Sequence, residues 1–448
     1  MIDEPRFGTD GVRGIANKEL TPFLALRLGM AAASVLGRHS SSNKIVVGRD
    51  TRLSGEMLES ALAAGLASMG AEVHLVGVIP TPGVARSILL TDATAGAVIS
   101  ASHNPYEDNG IKFFGGDARK LSDTVEEEIE YALENWLDLP FALPNKIGRI
   151  QSNTDLAWRY QEAVSSTGSK LTGLKLVIDC ANGAASAFAP SIFTELGADV
   201  IVIHNNPDGV NINANCGSTR PSDMRNKVVQ TGADAGLAFD GDCDRVMMCD
   251  ELGHEVDGDH MMALLAKGLK LRGELNSNTV VATIMSNAGL DDALDQIGVT
   301  LMRTDVGDRY VAEAMQRSGA VLGGEKSGHV LLPKLTPTGD GIVTGLRVLA
   351  EMVEQKLSLS QLAADMVLCP QKLRGVKVRD RQSWQEVPEI MTAIEDARKL
   401  VGKPEWLSVR ASGTEPLVRV MAQDHREAVV DHVVSSLCEL IGSRFGVN

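Results

Sequence analysis

Short apolar runs punctuate this chain, and between them hydrophobic residues recur with the spacing of a helix. Lys44-Ile45-Val46-Val47-Gly48 and Glu72-Val73-His74-Leu75-Val76 read as strands, and the Ala- and Leu-rich stretch from Ser54 to Met69 between them reads as a helix. A helical pattern from Thr21-Pro22 to Leu36 precedes them. Ala97-Val98-Ile99 is a further buried strand, stopped by the turn signal Asn104-Pro105, and Asp123 to Leu137 is an acidic helix. Strands that alternate with helices predict a parallel or mixed sheet covered on both faces.

The same alternation returns twice. After Pro140, Pro144 and Gly148 a second α/β unit begins near Thr154, with strands at Leu174–Asp179 and Val200–Ile203 around a helix that ends at Leu196. It closes on strand, acidic loop, strand across Gly236 to Met248. A third unit from about Gly258 to Asp365 has strands at Thr279–Ile284 and Val299–Met302 and loops at Val306–Arg309 and Gly323–His329. The last eighty or so residues change character: strand signals at Val376–Val378, Trp406–Arg410 and Leu417–Met421 lie between helices at Val387–Leu400 and the C-terminus. The expected fold is therefore α/β: three similar mixed α/β domains, at 1–150, 151–252 and 253–367, and a smaller α+β domain at 368–448, around a central cleft. Three such units hint at an internal repeat, although no residue-level periodicity supports it.

Charge narrows the partners. A net charge of -15 repels a phosphate backbone, and 4% aromatic residues leave little stacking surface, so nucleic acid is not expected. A small phosphorylated ligand is compatible if Arg and Lys reverse the sign locally. The six cysteines show neither a C-x-x-C pair nor zinc spacing, which suits a reducing compartment. With no signal-peptide pattern at Met1–Pro5 and no apolar stretch of membrane-spanning length, a cytoplasmic protein that does not bind membranes is expected.

Four loops carry chemistry. In Ser100-Ala101-Ser102-His103-Asn104-Pro105 a hydroxyl at a strand end has a histidine beside it and Lys112 ten residues on, parts that a phosphoryl acceptor and its proton shuttle need; a helix-capping serine is the bland alternative. Asp240-Gly241-Asp242-Cys243-Asp244-Arg245 sets three carboxylates at i, i+2 and i+4 after a strand, where they can converge on one hard cation such as Mg²⁺. Asp240, Asp242, Asp244 and Glu251 also fit four calcium-loop positions, but Arg245 stands where that loop needs Gly, and strands flank it. Gly323-Gly324-Glu325-Lys326-Ser327-Gly328-His329 fails as a P-loop because His329 stands where Lys is required; Glu325 and Ser327 suit sugar hydroxyls instead. Arg410-Ala411-Ser412-Gly413-Thr414-Glu415-Pro416 with Arg419 is suited to an anion. No G-x-S-x-G elbow, zinc-protease histidine pair or dinucleotide fingerprint is present.

Taken in order, these loops resemble those of the α-D-phosphohexomutase superfamily, and the resemblance runs from Phe7-Gly8-Thr9-Asp10-Gly11-Val12-Arg13-Gly14 to the C-terminal helix. One departure is Cys243, which stands where that family's metal loop has Gly. The resemblance implies that Ser102 carries the transferable phosphoryl group, and that one Mg²⁺ per site is held by Ser102, Asp240, Asp242 and Asp244. It makes Glu325 and Ser327 sugar contacts, and Arg410, Ser412, Gly413, Thr414 and Arg419 the phosphate clamp. Lys112 and His329 become the acid/base candidates, His103 positions the serine loop, and Arg13 and Arg245 complete a basic set. The opening loop, the serine loop and Ser-Gly-Thr-Glu-Pro are most similar to the bacterial glucosamine branch. That branch implies interconversion of glucosamine 6-phosphate and glucosamine 1-phosphate through glucosamine 1,6-bisphosphate, on the route to UDP-N-acetylglucosamine and the cell wall. Preference for mannose or glucose phosphates, a non-catalytic phosphosugar-binding protein and a homodimer stay open at this point.

Overall fold

The computed structural model describes residues 7–8, 11–39, 42–380, 383–412 and 416–446. Its first sheet has seven strands in the order Phe7–Gly8, Gly11–Ile15, Asp108–Gly115, Ala95–Ile99, Lys44–Arg49, Glu72–Val78 and Ile150–Ser152. The last four run parallel, whereas Asp108–Gly115 is antiparallel to Ala95–Ile99. Ala95–Ile99 is buried at every position, as a strand covered on both faces must be, which is why its sequence is a continuous apolar run rather than an alternation. Helix Pro22–Leu36 starts where Thr21 Oγ1 accepts from Leu24 N at 3.1 Å, with Pro in the first turn.

The second sheet has five strands, Glu255–Val256, Val246–Asp250, Ala235–Phe239, Lys175–Asp179 and Asp199–Ile203, and the third has four, Thr300–Thr304, Thr279–Thr283, Gly323–Gly324 and Val330–Leu331. In the fourth unit Gln371–Lys377, Leu417–Gln423 and Leu407–Ala411 form an antiparallel sheet backed by helices Pro388–Leu400 and Glu427–Phe445. Three mixed α/β sheets and a smaller α+β unit are the expected fold class.

The repeat that residue periodicity did not reveal is present as topology. In each of the first three units a strand parallel to its neighbour turns back in an antiparallel hairpin: Ala95–Ile99 into Asp108–Gly115, Ala235–Phe239 into Val246–Asp250, and Gly323–Gly324 into Val330–Leu331. The serine, metal and sugar loops are the turns of these hairpins, and the anion loop falls between the paired strands Leu407–Ala411 and Leu417–Gln423.

Several expectations need adjusting. The acidic helix ends at Glu134, and a 3₁₀ turn at Trp136–Asp138 follows. The helix expected to run up to Leu196 is a 3₁₀ turn, Ala184–Ala187, and then Ala189–Glu195, with Pro190 in the first turn. Ile150–Ser152 continues the first sheet, and Gly323–Gly324 is strand rather than loop. One hydrophobic core runs through the first three units, from Val46 through Phe239 and Cys243 to Met366. The fourth unit has a core of its own, which among the described residues takes only Ala288 from before position 369.

Candidate active site

Ser102 sits at the tip of the first hairpin turn with φ 50°, a left-handed conformation that a non-glycine residue keeps only when its surroundings impose it. They do so here. Ser100 Oγ accepts from Ser102 N at 2.9 Å, while the Ser102 carbonyl accepts from Arg52 Nη2 at 3.2 Å and from Asn213 Nδ2 at 2.9 Å. Arg52 is fully buried, is paired with Asp50, and also reaches the Asn104 carbonyl at 2.6 Å. The backbone of the serine loop is thus clamped from the first and second domains together.

The clamp aims the hydroxyl. Ser102 Oγ donates to Asp240 Oδ2 at 2.6 Å and lies 3.3 Å from His103 Nδ1. Gly241 permits this approach of the two loops, because a Cβ there would lie 2.6 Å from the Ser102 carbonyl oxygen. Behind it, Lys112 Nζ donates to Asp242 Oδ2 at 2.7 Å and lies 3.6 Å from Asp244 Oδ2, and Thr81 Oγ1 donates to Asp242 Oδ2 at 2.6 Å. Arg245 lies 3.3 Å from His103 Nδ1, and its backbone N–H donates to Asp240 Oδ1 at 3.1 Å. Because a guanidinium can only donate, the facing Nδ1 is an acceptor. Arg13, opposite Gly110 in the sheet register, adds a second positive charge near that imidazole.

Asp240, Asp242 and Asp244 are buried, and each presents a carboxylate oxygen within 4.8 Å of the other two. Asp242 Oδ1 and Asp244 Oδ1 have no hydrogen-bond partner although both are buried. Burial, and then the charges of Asp244 and Asp242, push the Asp240 carboxyl well above the ordinary range. For Asp244 burial acts the same way but is outweighed by Lys112, His329 and Arg245, which hold it well below that range. An all-oxygen set with two orphaned oxygens and strong mutual repulsion fits a divalent hard cation.

Cys243 is fully buried and has φ 61°, the left-handed region that a glycine would adopt without steric cost. Its carbonyl accepts from Gly341 N at 3.0 Å, which ties the metal loop to the third domain.

The sugar loop lies against this group. Val246 N donates to the Gly328 carbonyl at 3.2 Å, and Gly328, at φ 89°, would place a Cβ 2.0 Å from the Val246 carbonyl oxygen. Glu325 Oε1 accepts from Gly307 N at 3.2 Å, and Oε2 lies 3.3 Å from Ser327 Oγ. His329 is buried with Nδ1 3.6 Å from Asp244 Oδ1 and Nε2 3.6 Å from Asp308 Oδ2. Burial opposes its protonation, but Asp244 and Asp308 outweigh that and raise it to about 9. His103 goes the other way, to about 4, because burial, Arg245 and Arg13 all disfavour the cation.

On the fourth domain, Arg410 and Arg419 are directly paired across the hairpin. Burial and then the Arg419 charge lower Arg410, and Asp305 partly offsets them. Asp305 belongs to the third domain, two residues from Gly307. Ser412 is buried, with its N–H donating to the Leu417 carbonyl at 2.8 Å. Gly413 and Thr414 lie outside the described residues, as do Thr9 and Asp10.

Several supporting residues escaped the sequence reading: Asp50, Arg52, Thr81, Asn213 and Asp308. Apart from the Asp50–Arg52 pair, each acts on a loop some twenty residues away or more, so no local spacing exposes it.

An oxygen nucleophile over a carboxylate trio, ringed by cations, is the apparatus of phosphoryl transfer. The chain belongs to the phosphoglucomutase/phosphomannomutase family: residues 4–138, 158–253 and 257–368 match its alpha/beta/alpha domains I, II and III, and 374–440 its C-terminal domain. It is 50% identical to a phosphoglucosamine mutase of Desulforamulus reducens over 98% of this chain and 99% of that protein. It is 49% identical to one of Carboxydothermus hydrogenoformans over 97% and 98%. A solved phosphoglucomutase/phosphomannomutase family protein from Burkholderia thailandensis shares the fold with a TM-score of 0.82 at 24% identity, covering 99% of this chain and 98% of that one. Aspergillus fumigatus N-acetylphosphoglucosamine mutase, solved with GlcNAc-6P and magnesium, does so at 0.68 and 16%, covering 98% and 96%. Among the described residues no helix is long and apolar enough to cross a membrane.

Proposed function

We propose that the protein is a phosphoglucosamine mutase that interconverts glucosamine 6-phosphate and glucosamine 1-phosphate through a phosphorylated Ser102 and glucosamine 1,6-bisphosphate. The observation that carries the chemistry is Ser102 Oγ held 2.6 Å from the buried Asp240. The choice of sugar rests on the near full-length identity to phosphoglucosamine mutases. The working division places the phosphoserine loop in 1–150, the metal loop in 151–252, the sugar loop in 253–367 and the phosphate clamp in 368–448.

Asp240, Asp242 and Asp244, with an oxygen of phosphorylated Ser102, would hold one Mg²⁺. When bound, Mg²⁺ supplies neutralisation of the charge that develops on phosphoryl oxygens. In the first half-reaction the Ser102 O–P bond breaks as the phosphoryl group passes to the free sugar hydroxyl, which loses its proton while the freed Ser102 oxygen takes one up; in the second, the other phosphate of the bisphosphate returns to Ser102, which gives up its proton while the leaving sugar oxygen takes one up. Lys112 and His329 are the proton-handling groups, and cationic His329 is suited to donate. Neutral His103, acceptor toward Arg245, orients the serine loop. Glu325 and Ser327 bind sugar hydroxyls, while Arg410, Ser412, Thr414 and Arg419 grip whichever phosphate is not reacting.

The bisphosphate must turn round without escaping, so the separately cored fourth domain closes and opens about the segment near Cys369–Pro370. Scattering envelopes that are indistinguishable with and without the bisphosphate would rule this motion out. The protein works in the cytoplasm, without membrane or nucleic acid. Side-by-side assay of glucosamine, glucose and mannose 6-phosphates tests the substrate; a higher kcat/KM for glucose or mannose phosphate would overturn the assignment.

A further inference from the structure

The joint between the third and fourth domains holds a group of side chains that the reaction does not use. Cys369, two residues before the fourth domain's first strand at Gln371, lies 3.2 Å through Sγ from His425 Nδ1 and 3.7 Å from Asp292 Oδ2. His425 Nε2 is in turn 3.5 Å from Asp292 Oδ2. The three come from different places: helix Ala288–Gln296 of the third domain, the hinge itself, and the turn after strand Leu417–Gln423 of the fourth. We propose that Asp292, Cys369 and His425 form a site for a zinc-type divalent cation that clamps the fourth domain onto the third.

The donor chemistry selects the ion. Thiolate, imidazole and carboxylate are the ligands of zinc, and three protein ligands leave a fourth position for water, whereas the all-oxygen trio at Asp240 suits magnesium. One ligand atom from each residue lies within 4.8 Å of the others. Tetrahedral bonds of about 2.0–2.3 Å would put ligand atoms about 3.3–3.7 Å apart, so only small movements are needed. His425 and Asp292 are more than a third exposed, which gives an ion an entry path to the buried Cys369. Burial and the Asp292 charge push the thiol up to about 11, so zinc would displace the thiol proton to solvent on binding.

Position gives the site its consequence. Around it, Cys369 N donates to Asn287 Oδ1 at 2.8 Å, Asn287 Nδ2 donates to the Cys369 carbonyl at 3.0 Å, and Gln423 Oε1 accepts from Ala288 N at 2.8 Å. An ion bridging helix Ala288–Gln296 to His425 would fix one orientation of the domain that carries Arg410 and Arg419. Zinc is then an inhibitor acting away from the catalytic metal; this part rests on the proposed function and on the motion of the fourth domain. A second His–Cys–Asp group, Asp179, His204 and Cys216, spans no such joint, and both Asp179 oxygens already accept backbone N–H groups.

The test titrates Co²⁺ and Zn²⁺ into the full-length protein with Mg²⁺ saturating. One Co²⁺ per chain with thiolate-to-cobalt absorption is expected, and C369S should abolish the absorption and weaken zinc binding about tenfold or more. H425A should weaken binding likewise, and both variants should keep basal mutase activity but resist zinc. Thiolate absorption that survives in C369S, or none in the parent, overturns the site. Equal zinc inhibition of parent and C369S overturns the clamp, as does zinc binding without loss of activity. The absorption arm needs no substrate, so a parent without mutase activity counts against the proposed function alone.

Discussion

The serine and metal loops differ from the anion loop in how they are held. Ser102 and the Asp trio sit on turns of two hairpins that both contribute to the core running through the first three units, and the carboxylate charges are partly offset by Lys112, Arg245 and His329. Arg410 and Arg419 sit on a hairpin with a separate core, side by side and repelling each other. On the proposed function, the reacting end would be preorganised and the gripping end free to travel. A ligand that must reverse end for end requires such a division: atoms that transfer charge need fixed geometry, and atoms that hold a bystander phosphate need to let go.

Breaking the fixed end should have the largest effect. Ser102→Ala would remove the proposed phosphoryl carrier, so kcat should fall by roughly 10³-fold or more, with no phosphate in the intact mass of the variant. Activity close to the parent's would mean that phosphate moves by another route. Breaking the mobile end should cost less: Arg410→Ala or Arg419→Ala removes a charge-assisted contact of about 1.5–3 kcal/mol, so KM should rise about 10- to 100-fold. A drop in kcat as severe as that of Ser102→Ala would erase the distinction between the two regions.

The parts of this comparison were unequally legible in the sequence. The three α/β sheets announced themselves because buried parallel strands must be continuous apolar runs, as at Ala95–Ile99 and Ala235–Phe239. Two-residue strands such as Gly323–Gly324 and Glu255–Val256 have no periodicity to detect, and without the first of these the third hairpin could not be seen as a repeat of the other two. The trio was visible because its ligands are local, at alternate positions of one turn. Arg52 was invisible because its work is done on the Ser102 carbonyl, fifty residues away, and nothing beside it hints at that contact. Likewise the role of Asp308 depends on a 3.6 Å approach to His329 that only the folded third domain creates.

A smaller effect separates the charges of the fixed end from the metal. In the metal-free protein His329 is raised to about 9 from an ordinary 6.5, so its ion pairs contribute stability fully below about pH 6.5 and lose it as pH rises through 9. His329→Gln should therefore destabilise the protein more on the acid side of that window than above it, as denaturant unfolding at the two pH values would show. Saturating Mg²⁺ should shrink the difference, because Asp244 would then be engaged. A penalty independent of pH would mean that His329 contributes by packing alone.

The smallest expected effect is at Cys243, a non-glycine residue in left-handed backbone within the fixed end. Left-handed backbone costs a non-glycine residue about 1–2 kcal/mol, so Cys243→Gly should relieve strain in the loop that presents Asp242 and Asp244. The thiol is fully buried in the shared core, however, and removing it takes away apolar contacts that offset most of that gain. Overall stability should hence change by no more than about 1 kcal/mol, since the two terms oppose each other. Mg²⁺ affinity should rise a few-fold, because the relieved strain is in the ligand loop whereas the lost contacts are behind it. Calorimetric titration of Mg²⁺ into both proteins reads this directly, and an unchanged affinity would show that the hairpin holds its carboxylates equally well with either residue.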